Sequence, residues 1–187
     1  VATAATIAFN CRCIGEFWAA KTCDDASHIG WQFHDFSARG DMGMWANTLV
    51  GMGHLFSFTG TDSVAALRRL QMQYEIDTLD GGSVPATEHS VMCMGEKVTE
   101  IETFRRLIQD TYPSGIVSIV SDTWDYWRVV TEYLPYLKDL ILARDGKVVI
   151  RPDSGDPVDI ICGEQFIDAD DCEHLGDALR MMRAGRA

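Results

Sequence analysis

A unit that recurs five times along the chain constrains its fold more than any other feature. In each unit a short apolar or β-rich run ends in a cluster of polar residues and is followed by a helical stretch. The five runs, which we predict to be strands, are 31–36, 54–58, 83–89, 115–120 and 147–150. They follow one another at intervals of about 30 residues, the size of a βα unit. Strands that alternate with helices in this way predict an α/β fold with a parallel sheet and right-handed crossovers.

Helical periodicity fills the intervals between these runs and also precedes the first of them. The first predicted helix, 3–20, is amphipathic, with Ile7, Cys11, Ile14 and Trp18 at steps of three and four. The other predicted helices are 44–52, 63–74, 97–110, 124–142 with an interruption at Pro135, and 175–182. We interpret the acidic run from Asp168 to Glu173 as the solvated start of the last helix rather than as a metal site.

The composition is that of a globular protein, and it excludes two classes of partner. Of the 187 residues, 47% are apolar and 24% are charged. We expect a single domain over 1–187, in which a leading helix (1–29) precedes the recurring units (30–161) and a divergent helical tail (162–187). A net charge of −12 disfavours nucleic acid and anionic membranes as partners, because binding to either requires basic surface.

The cysteines and the hydropathy predict the cellular compartment of the protein. The six cysteines form no C-x-x-C pair and no zinc-like spacing with histidines, which is typical of reduced thiols. Cys11 and Cys13 would point to different faces of the first helix, so we favour packing over redox or metal chemistry for them. No secretory leader is recognisable, and no apolar run has the length needed to cross a bilayer. These features predict a cytoplasmic protein.

The polar clusters at the ends of the five runs are where we expect a ligand. The carboxyl ends of the strands surround the binding site in barrels and doubly wound sheets, so the clusters are predicted to converge on one site. The clusters read HDFSARG at 34–40, GTD at 60–62, SVPATEHS at 83–90, VSD at 120–122 and IRPDSG at 150–155. In order and spacing they resemble the nicotinamide phosphoribosyltransferase family, above all its bacterial and phage members. The resemblance covers about 30–161.

That resemblance implies a fold, a reaction and partners. The fold would be a partial (β/α) barrel of the type II phosphoribosyltransferase kind. The reaction would transfer the phosphoribosyl group of 5-phosphoribosyl-1-pyrophosphate to nicotinamide, giving nicotinamide mononucleotide and pyrophosphate in NAD salvage. Family members use Mg²⁺, are stimulated when ATP phosphorylates a histidine, and form homodimers. Loss of pyrophosphate leaves an oxocarbenium-like centre, so the site must position a weak nucleophile and stabilise both charges.

Three residues would form the nicotinamide side of the site. Phe36 stands where the family stacks an aromatic ring on the pyridine; the alternative is a core phenylalanine. Arg39 resembles the arginine near the base and the phosphate, or it is a plain surface arginine. Asp62 resembles the carboxylate that accepts a hydrogen bond from the amide and repels nicotinic acid, and its alternative role is to cap the helix that begins at Ser63.

Three further residues carry the catalytic roles that the resemblance implies. His89 corresponds to the histidine that accepts the phosphoryl group, and the neighbouring Glu88 is a candidate to fix its tautomer. Asp122 and Asp153 would serve the ribose hydroxyls and the magnesium–pyrophosphate region, since carboxylates suit both tasks. Which of the two does which stays open.

The remaining substrate-binding residues that the resemblance implies are Ser83, Arg151, Ser154 and Gly155. Arg151 would face the nucleotide, because a planar guanidinium suits phosphate, and Ser154 and Gly155 would form a turn. Asp156 or Asp159 is predicted to be a helix cap.

The resemblance also leaves three interpretations open. The chain has less than half the usual family length and lacks the late glycine-rich strand ends that hold the ribose 5-phosphate, as well as a second stacking aromatic residue. It is therefore expected to be a central fragment, and whether it is an enzyme by itself stays undecided. The interpretations are a nicotinamide phosphoribosyltransferase, a catalytically inactive remnant that binds a nucleotide weakly, and a nicotinate-type or quinolinate-type phosphoribosyltransferase. Asp62 argues against nicotinate.

Overall fold

The computed structural model describes residues 1–75 and 81–163, and it divides into two compact units. The first unit runs from Val1 to Ser83, and the second begins at Val84. The single domain expected over 1–187 stays a prediction. The tail helix expected at 175–182, together with its acidic run, lies outside the described residues.

In the described residues of the first unit, three α-helices accompany two short parallel strands. The elements are α1 (Ala2–Thr22), β1 (His34–Asp35), α2 (Met44–Leu55), β2 (Gly60–Thr61) and α3 (Val64–Tyr74), with 3₁₀ helices at Ser27–Trp31 and Ser37–Arg39. In the parallel pair, His34 lies opposite Gly60 and Asp35 opposite Thr61. The small core between α2 and α3 contains Met52, Ala66 and Leu70.

The second unit is a βαβ arrangement with further helices. The elements are α4 (His89–Cys93), α5 (Glu100–Arg106), β3 (Ser114–Val120), α6 (Tyr126–Arg128), α7 (Leu134–Leu142), β4 (Asp145–Arg151) and α8 (Pro157–Cys162), with a 3₁₀ helix at Lys97–Thr99 and π turns at Leu107–Thr111 and Val129–Tyr133. Strands β3 and β4 pair in parallel over their whole length, so Val120 lies opposite Arg151 at their carboxyl ends.

A continuous apolar core holds the second unit together. The fully buried side chains include Phe104 and Ile108 from the α5 region, Val117 and Ile119 from β3, and Val129 ahead of α7. Each such side chain contributes roughly 1.5–3 kcal/mol when it leaves water. The core therefore fixes β3 and β4, whose carboxyl ends carry candidate site residues.

The amino ends of β3 and β4 are held by close backbone packing. Gly115 and Gly146 lie opposite each other, and a Cβ atom on Gly146 would lie 2.0 Å from the Gly115 carbonyl oxygen. Gly146 also has a φ of +134°, which side chains disfavour. The Arg144 guanidinium donates hydrogen bonds to the carbonyls of Tyr112 and Ser114. These contacts fix the amino ends of the two strands.

The two long strands were predictable, and the short ones were not. The runs 115–120 and 147–150 are confirmed as β3 and β4. The first predicted strand shrinks to His34–Asp35, because the 3₁₀ helix Ser27–Trp31 and a bend at 32–33 precede it and Phe36 already caps the next 3₁₀ helix. The prediction of a strand at 54–58 is wrong: α2 continues to Leu55, and β2 lies at 60–61. A short apolar run fits a helix end as well as a strand.

The third predicted strand, 83–89, is wrong as a strand, but its segment lies along β3. The Pro85 carbonyl accepts a hydrogen bond from Ser118 N at 2.8 Å, and Thr87 N donates to the Ser118 carbonyl at 2.9 Å. Proline has no N–H to continue the ladder, so Ala86 makes only an isolated bridge with Ser118. This pairing carries the chain to the start of α4.

The helix predictions that fall within the described residues are confirmed apart from details. Pro135 does not interrupt the segment from Tyr126 to Leu142, since it lies in the first turn of α7. The irregularity is the π turn immediately before it, where a widened turn accommodates a residue that cannot donate a helical hydrogen bond. Within the described residues, no helix combines the length and apolar character that a bilayer crossing requires.

Candidate functional site

The carboxyl ends of β1 and β2 bring together the residues of a first cluster, which comprises His34, Phe36 and Asp62. The chain leaves β1 at Phe36 and enters the 3₁₀ helix that ends at Arg39, and it leaves β2 at Asp62 just before α3. Because the two strands are parallel and paired, their exits lie at the same edge.

His34 makes the closest contacts within the first cluster. Its ring stacks on Phe36 with 4.3 Å between centroids and 29° between planes. Its Nε2 lies 3.3 Å from Oδ1 of Asp62, yet this buried nitrogen makes no well-aligned hydrogen bond. The sequence interpretation assigned no role to His34, although its place two residues before Phe36 on a strand is a signal for a shared face.

Two alternative interpretations of this cluster are wrong. Phe36 is not a core phenylalanine, because it is 47% exposed. Asp62 is not the cap of α3, because the N-cap position belongs to Ser63 and the helix begins at Val64. Asp62 instead directs a 41%-exposed carboxylate towards His34. Arg39 is exposed at the end of its 3₁₀ helix.

A network of buried polar side chains, centred on Asp35 and Asn47, lies next to the first cluster. Asp35 accepts a hydrogen bond from Ser37 N at 2.9 Å and contacts the Thr61 hydroxyl at 3.4 Å. Asn47 donates to the Ser63 hydroxyl at 3.0 Å. Burial alone would raise the pKa of Asp35, but hydrogen bonds from Ser37 and Ser63 lower it below its ordinary value. The network ties together the two turns that carry the cluster.

The carboxyl ends of β3 and β4 bring together a second cluster, comprising His89, Asp122, Asp153 and Ser154. Asp122 Oδ1 lies 3.2 Å from His89 Nε2. Its Oδ2 accepts hydrogen bonds from Asp153 N at 3.0 Å and from Ser154 Oγ at 2.5 Å. The other ring nitrogen of His89, Nδ1, lies 3.9 Å from Oδ2 of Asp153. His89 therefore stands between two carboxylates.

The two carboxylates of the second cluster differ in environment. The Asp122 side chain is 5% exposed and that of Asp153 is 48% exposed. Burial would raise the pKa of Asp122, but the hydrogen bonds from Ser154, from the Asp153 backbone and from His89 hold it below its ordinary value. The Asp122 carboxylate is thus charged and held by three hydrogen bonds, whereas the Asp153 carboxylate is exposed to solvent.

The carboxylate that contacts His89 is not the one expected from its neighbour in sequence. Glu88 accepts a hydrogen bond from the Ser90 hydroxyl, while Asp122, 33 residues away along the chain, contacts the imidazole. Adjacency in sequence made Glu88 the candidate partner of the His89 imidazole. Because residues 85–87 pair with β3, the imidazole instead lies next to Asp122, which follows that strand.

The other predicted residues border the second cluster or lie in the first unit. The Arg151 guanidinium donates to the Thr87 carbonyl. Gly155 follows Ser154 with a φ of +94°, as a turn requires. Asp156 caps α8 by accepting from Val158 N at 2.8 Å, which confirms one of the two predicted caps. Ser83 is exposed at the end of the first unit.

No preformed cation cage is evident in the described part of the chain. Residues 1–75 and 81–163 contain no group of three or more histidine, cysteine or acidic side chains arranged to hold a metal ion. The described cysteines, Cys11, Cys13, Cys23, Cys93 and Cys162, are free thiols.

Comparisons with known proteins place these clusters in a family context. The family model of the nicotinate phosphoribosyltransferase (NAPRTase) family matches residues 31–175. Nicotinamide phosphoribosyltransferase of Acinetobacter baylyi is 51% identical in an alignment of 180 residues that covers 93% of this chain and 36% of that protein. The proteins of the same name from Xanthomonas campestris pv. campestris and Mycoplasma pneumoniae are 36% and 35% identical, over 85% and 88% of this chain and 34% of each relative. The chain spans about a third of the length of these curated relatives.

Proposed function

The chain belongs to the nicotinate phosphoribosyltransferase family, and from that premise we propose that it serves the transfer of phosphoribose from 5-phosphoribosyl-1-pyrophosphate to nicotinamide. The products are nicotinamide mononucleotide and pyrophosphate, a step of NAD salvage. The observation that carries the proposal is the first cluster, in which an exposed aromatic ring and a carboxylate flank one histidine at the exit of two parallel strands. A flat ring and a hydrogen-bond acceptor are what a pyridine carboxamide requires.

The first cluster favours the amide over the acid. Phe36 offers a ring on which the pyridine stacks, and Arg39 lies near the base and its phosphate. Asp62 accepts a hydrogen bond from the amide N–H. Nicotinic acid would bring a second negative charge to the same carboxylate, and two unit charges 4 Å apart repel by about 4 kcal/mol at the effective dielectric of a protein surface. A family model named for nicotinate is thus compatible with a chain that uses nicotinamide.

The second cluster serves the ribose and the pyrophosphate. The exposed carboxylate of Asp153 accepts hydrogen bonds from ribose hydroxyls, while Asp122, already bound by three donors, holds the turn that carries Asp153 and Ser154. Arg151 provides positive charge next to this turn. Ser83 and Gly155 complete the substrate-binding set that we propose.

His89 is the proposed phosphoryl acceptor. Its Nε2–H donates to Asp122, which leaves the lone pair on Nδ1 as the nucleophile. In the step, Nδ1 bonds to the γ-phosphorus of ATP, the bond from that phosphorus to the bridging oxygen breaks, and ADP leaves. The ring then carries a positive charge that the Asp122 carboxylate stabilises. The hydrogen-bonded, buried state of Asp122 supports this assignment.

The residues present fit a magnesium ion of the kind that nucleotide enzymes use. Mg²⁺ is commonly bound by one or two carboxylates, and substrate phosphates and waters complete the octahedron. The exposed Asp153 would provide the carboxylate, and Asp122, whose oxygens already accept three hydrogen bonds, would hold the turn that carries it. When bound, the ion neutralises charge on the departing pyrophosphate.

We also propose the wider setting of the site. The parallel strands with helical crossovers are compatible with part of a (β/α) barrel of the type II phosphoribosyltransferase kind. We further propose a homodimer, on the strength of the family, and a cytoplasmic location, which the free thiols support.

The test is product formation by the purified chain. We expect nicotinamide mononucleotide, identified by mass, from nicotinamide, 5-phosphoribosyl-1-pyrophosphate and Mg²⁺, with faster turnover when ATP is present. His89→Ala should abolish the ATP stimulation without abolishing all turnover, and His28→Ala is the matched control with full stimulation. If the wild-type chain neither forms the product nor binds nicotinamide, the proposal is wrong; binding without product would reduce the chain to a ligand-binding remnant.

A further inference from the structure

We propose that His34 is a specificity-determining positioning residue, whose imidazole fixes the Asp62 carboxylate so that a pyridine amide is selected over a pyridine acid. The inference rests on the proposed function, because it concerns the ligand of the first cluster. It starts from one juxtaposition: the same ring stacks on Phe36 at 4.3 Å and approaches Asp62 at 3.3 Å.

The position of the His34 ring is dictated by the backbone. The β1–β2 register places His34 opposite Gly60, and a Cβ atom at Gly60 would lie 2.7 Å from His34 Nδ1. That distance is shorter than any normal contact, so the ring occupies the space that a side chain at position 60 would take. Phe36 covers one face of the His34 ring and Gly60 lies next to its Nδ1 atom. The Nε2 atom, on the other side of the ring, faces Asp62.

The buried Nε2 atom explains why His34 acts on Asp62. This nitrogen is shielded from water and has no aligned hydrogen bond among the described residues, and a buried unsatisfied donor is costly. Oδ1 of Asp62 is the acceptor within reach. A small adjustment that aligns the pair satisfies His34 and holds one oxygen of the carboxylate.

Holding one oxygen of Asp62 has a direct consequence for ligand choice. The second oxygen is left to accept the N–H of an amide, and the carboxylate stays where its charge opposes an acid. Without His34, the Asp62 side chain, which is 41% exposed, is free to turn towards water. Both the hydrogen bond to the amide and the repulsion of the acid then weaken.

The experiment measures the affinities of nicotinamide and nicotinic acid for the wild-type chain and for variants at position 34, by calorimetry or ligand-observed NMR. We expect His34→Ala to reduce the preference for nicotinamide about tenfold. His34→Gln should retain most of the preference, because its amide N–H replaces the Nε2–H donor. Gly60→Ala, which displaces the ring without removing it, should resemble His34→Ala. His28→Ala, which alters a histidine whose ring hydrogen-bonds the local Asp25 carbonyl, is the matched control.

The possible results distinguish a failure of the proposed function from a failure of the role proposed for His34. A wild-type chain that shows no preference for nicotinamide contradicts the proposed function itself. A wild-type preference that survives in His34→Ala contradicts the role of His34 alone. A readout without ligand, the ¹⁵N chemical shifts of the His34 ring, should change in Asp62→Ala; unchanged shifts would overturn the contact on which the inference stands.

Discussion

Replacing Glu100 by glutamine is expected to stabilise the second unit at alkaline pH and to leave its stability nearly unchanged at acidic pH. Glu100 begins α5, is 1% exposed, and its Oε1 has no hydrogen-bond partner in the described residues. Burial raises its pKa from 4.5 to about 7, against the opposing pull of Arg128. The ionised form is therefore the unfavourable one in the folded unit.

The sign and size of the effect follow from proton linkage. The unfolded chain releases the Glu100 proton near pH 4.5 and the folded chain near pH 7. The protonated carboxyl thus contributes fully to stability below pH 4.5, and the contribution is lost as the pH rises through 7. The difference between the two pKa values corresponds to about 3 kcal/mol. Glutamine resembles the protonated acid in shape and cannot ionise, so it removes this loss.

The assay is urea unfolding at pH 5 and pH 8.5, followed through the methyl NMR signals of Val117 and Ile119, which report on the second unit. The gain of Glu100→Gln over wild type should grow by about 2–3 kcal/mol between the two pH values. Glu102→Gln, which alters an exposed glutamate of the same helix beside Arg105, is the matched control and shows what the loss of a surface charge alone does. A pH-independent difference for Glu100→Gln, or one that grows towards acid, would refute the reasoning.

Three further substitutions test the packing and the polar supports. Gly146→Ala should destabilise the second unit by about 2–3 kcal/mol in urea unfolding, because the added Cβ meets the Gly115 carbonyl at a strained φ; Gly40→Ala, with its nearest atom at 3.6 Å, is the control, and equal losses would count against the explanation. Asp156→Ala should cost about 1 kcal/mol through loss of the α8 cap, and an unchanged midpoint would contradict this. Asn47→Ala should lower the thermal midpoint of the first unit, at a cost of about 0.5–1.5 kcal/mol, because the buried Ser63 hydroxyl loses the hydrogen bond that Asn47 donates to it; no shift would show that the network does not bear on stability.

The parts of the fold that the sequence predicted are those with strong local signals. Strands β3 and β4 come from apolar runs bounded by turn-forming residues, and α1 from a long helical periodicity. Strands β1 and β2 are two residues each, too short for any periodicity, and they exist because the chain around them packs. The apolar run 54–58 predicts a strand wrongly because a helix end and a strand share the same composition over so few residues.

For the candidate site, too, the sequence predicts the residues better than it predicts their contacts. The motif residues could be named in advance, but their contacts depend on strand register. His34 reaches Asp62 only because β1 pairs with β2, and His89 reaches Asp122 rather than depending on its neighbour Glu88 because the segment before α4 pairs with β3. The different roles that we propose for Asp122 and Asp153 rest on the different exposure of their side chains, which a sequence does not reveal.

The central claim, that the first cluster selects nicotinamide, is tested most directly by the affinities of nicotinamide and nicotinic acid for the wild-type chain and for Asp62→Asn. We expect the wild-type chain to prefer nicotinamide at least tenfold, which corresponds to about 1.4 kcal/mol. Asp62→Asn, which removes the charge and keeps the shape, should bring the two affinities close together. Full discrimination retained in Asp62→Asn would contradict the account.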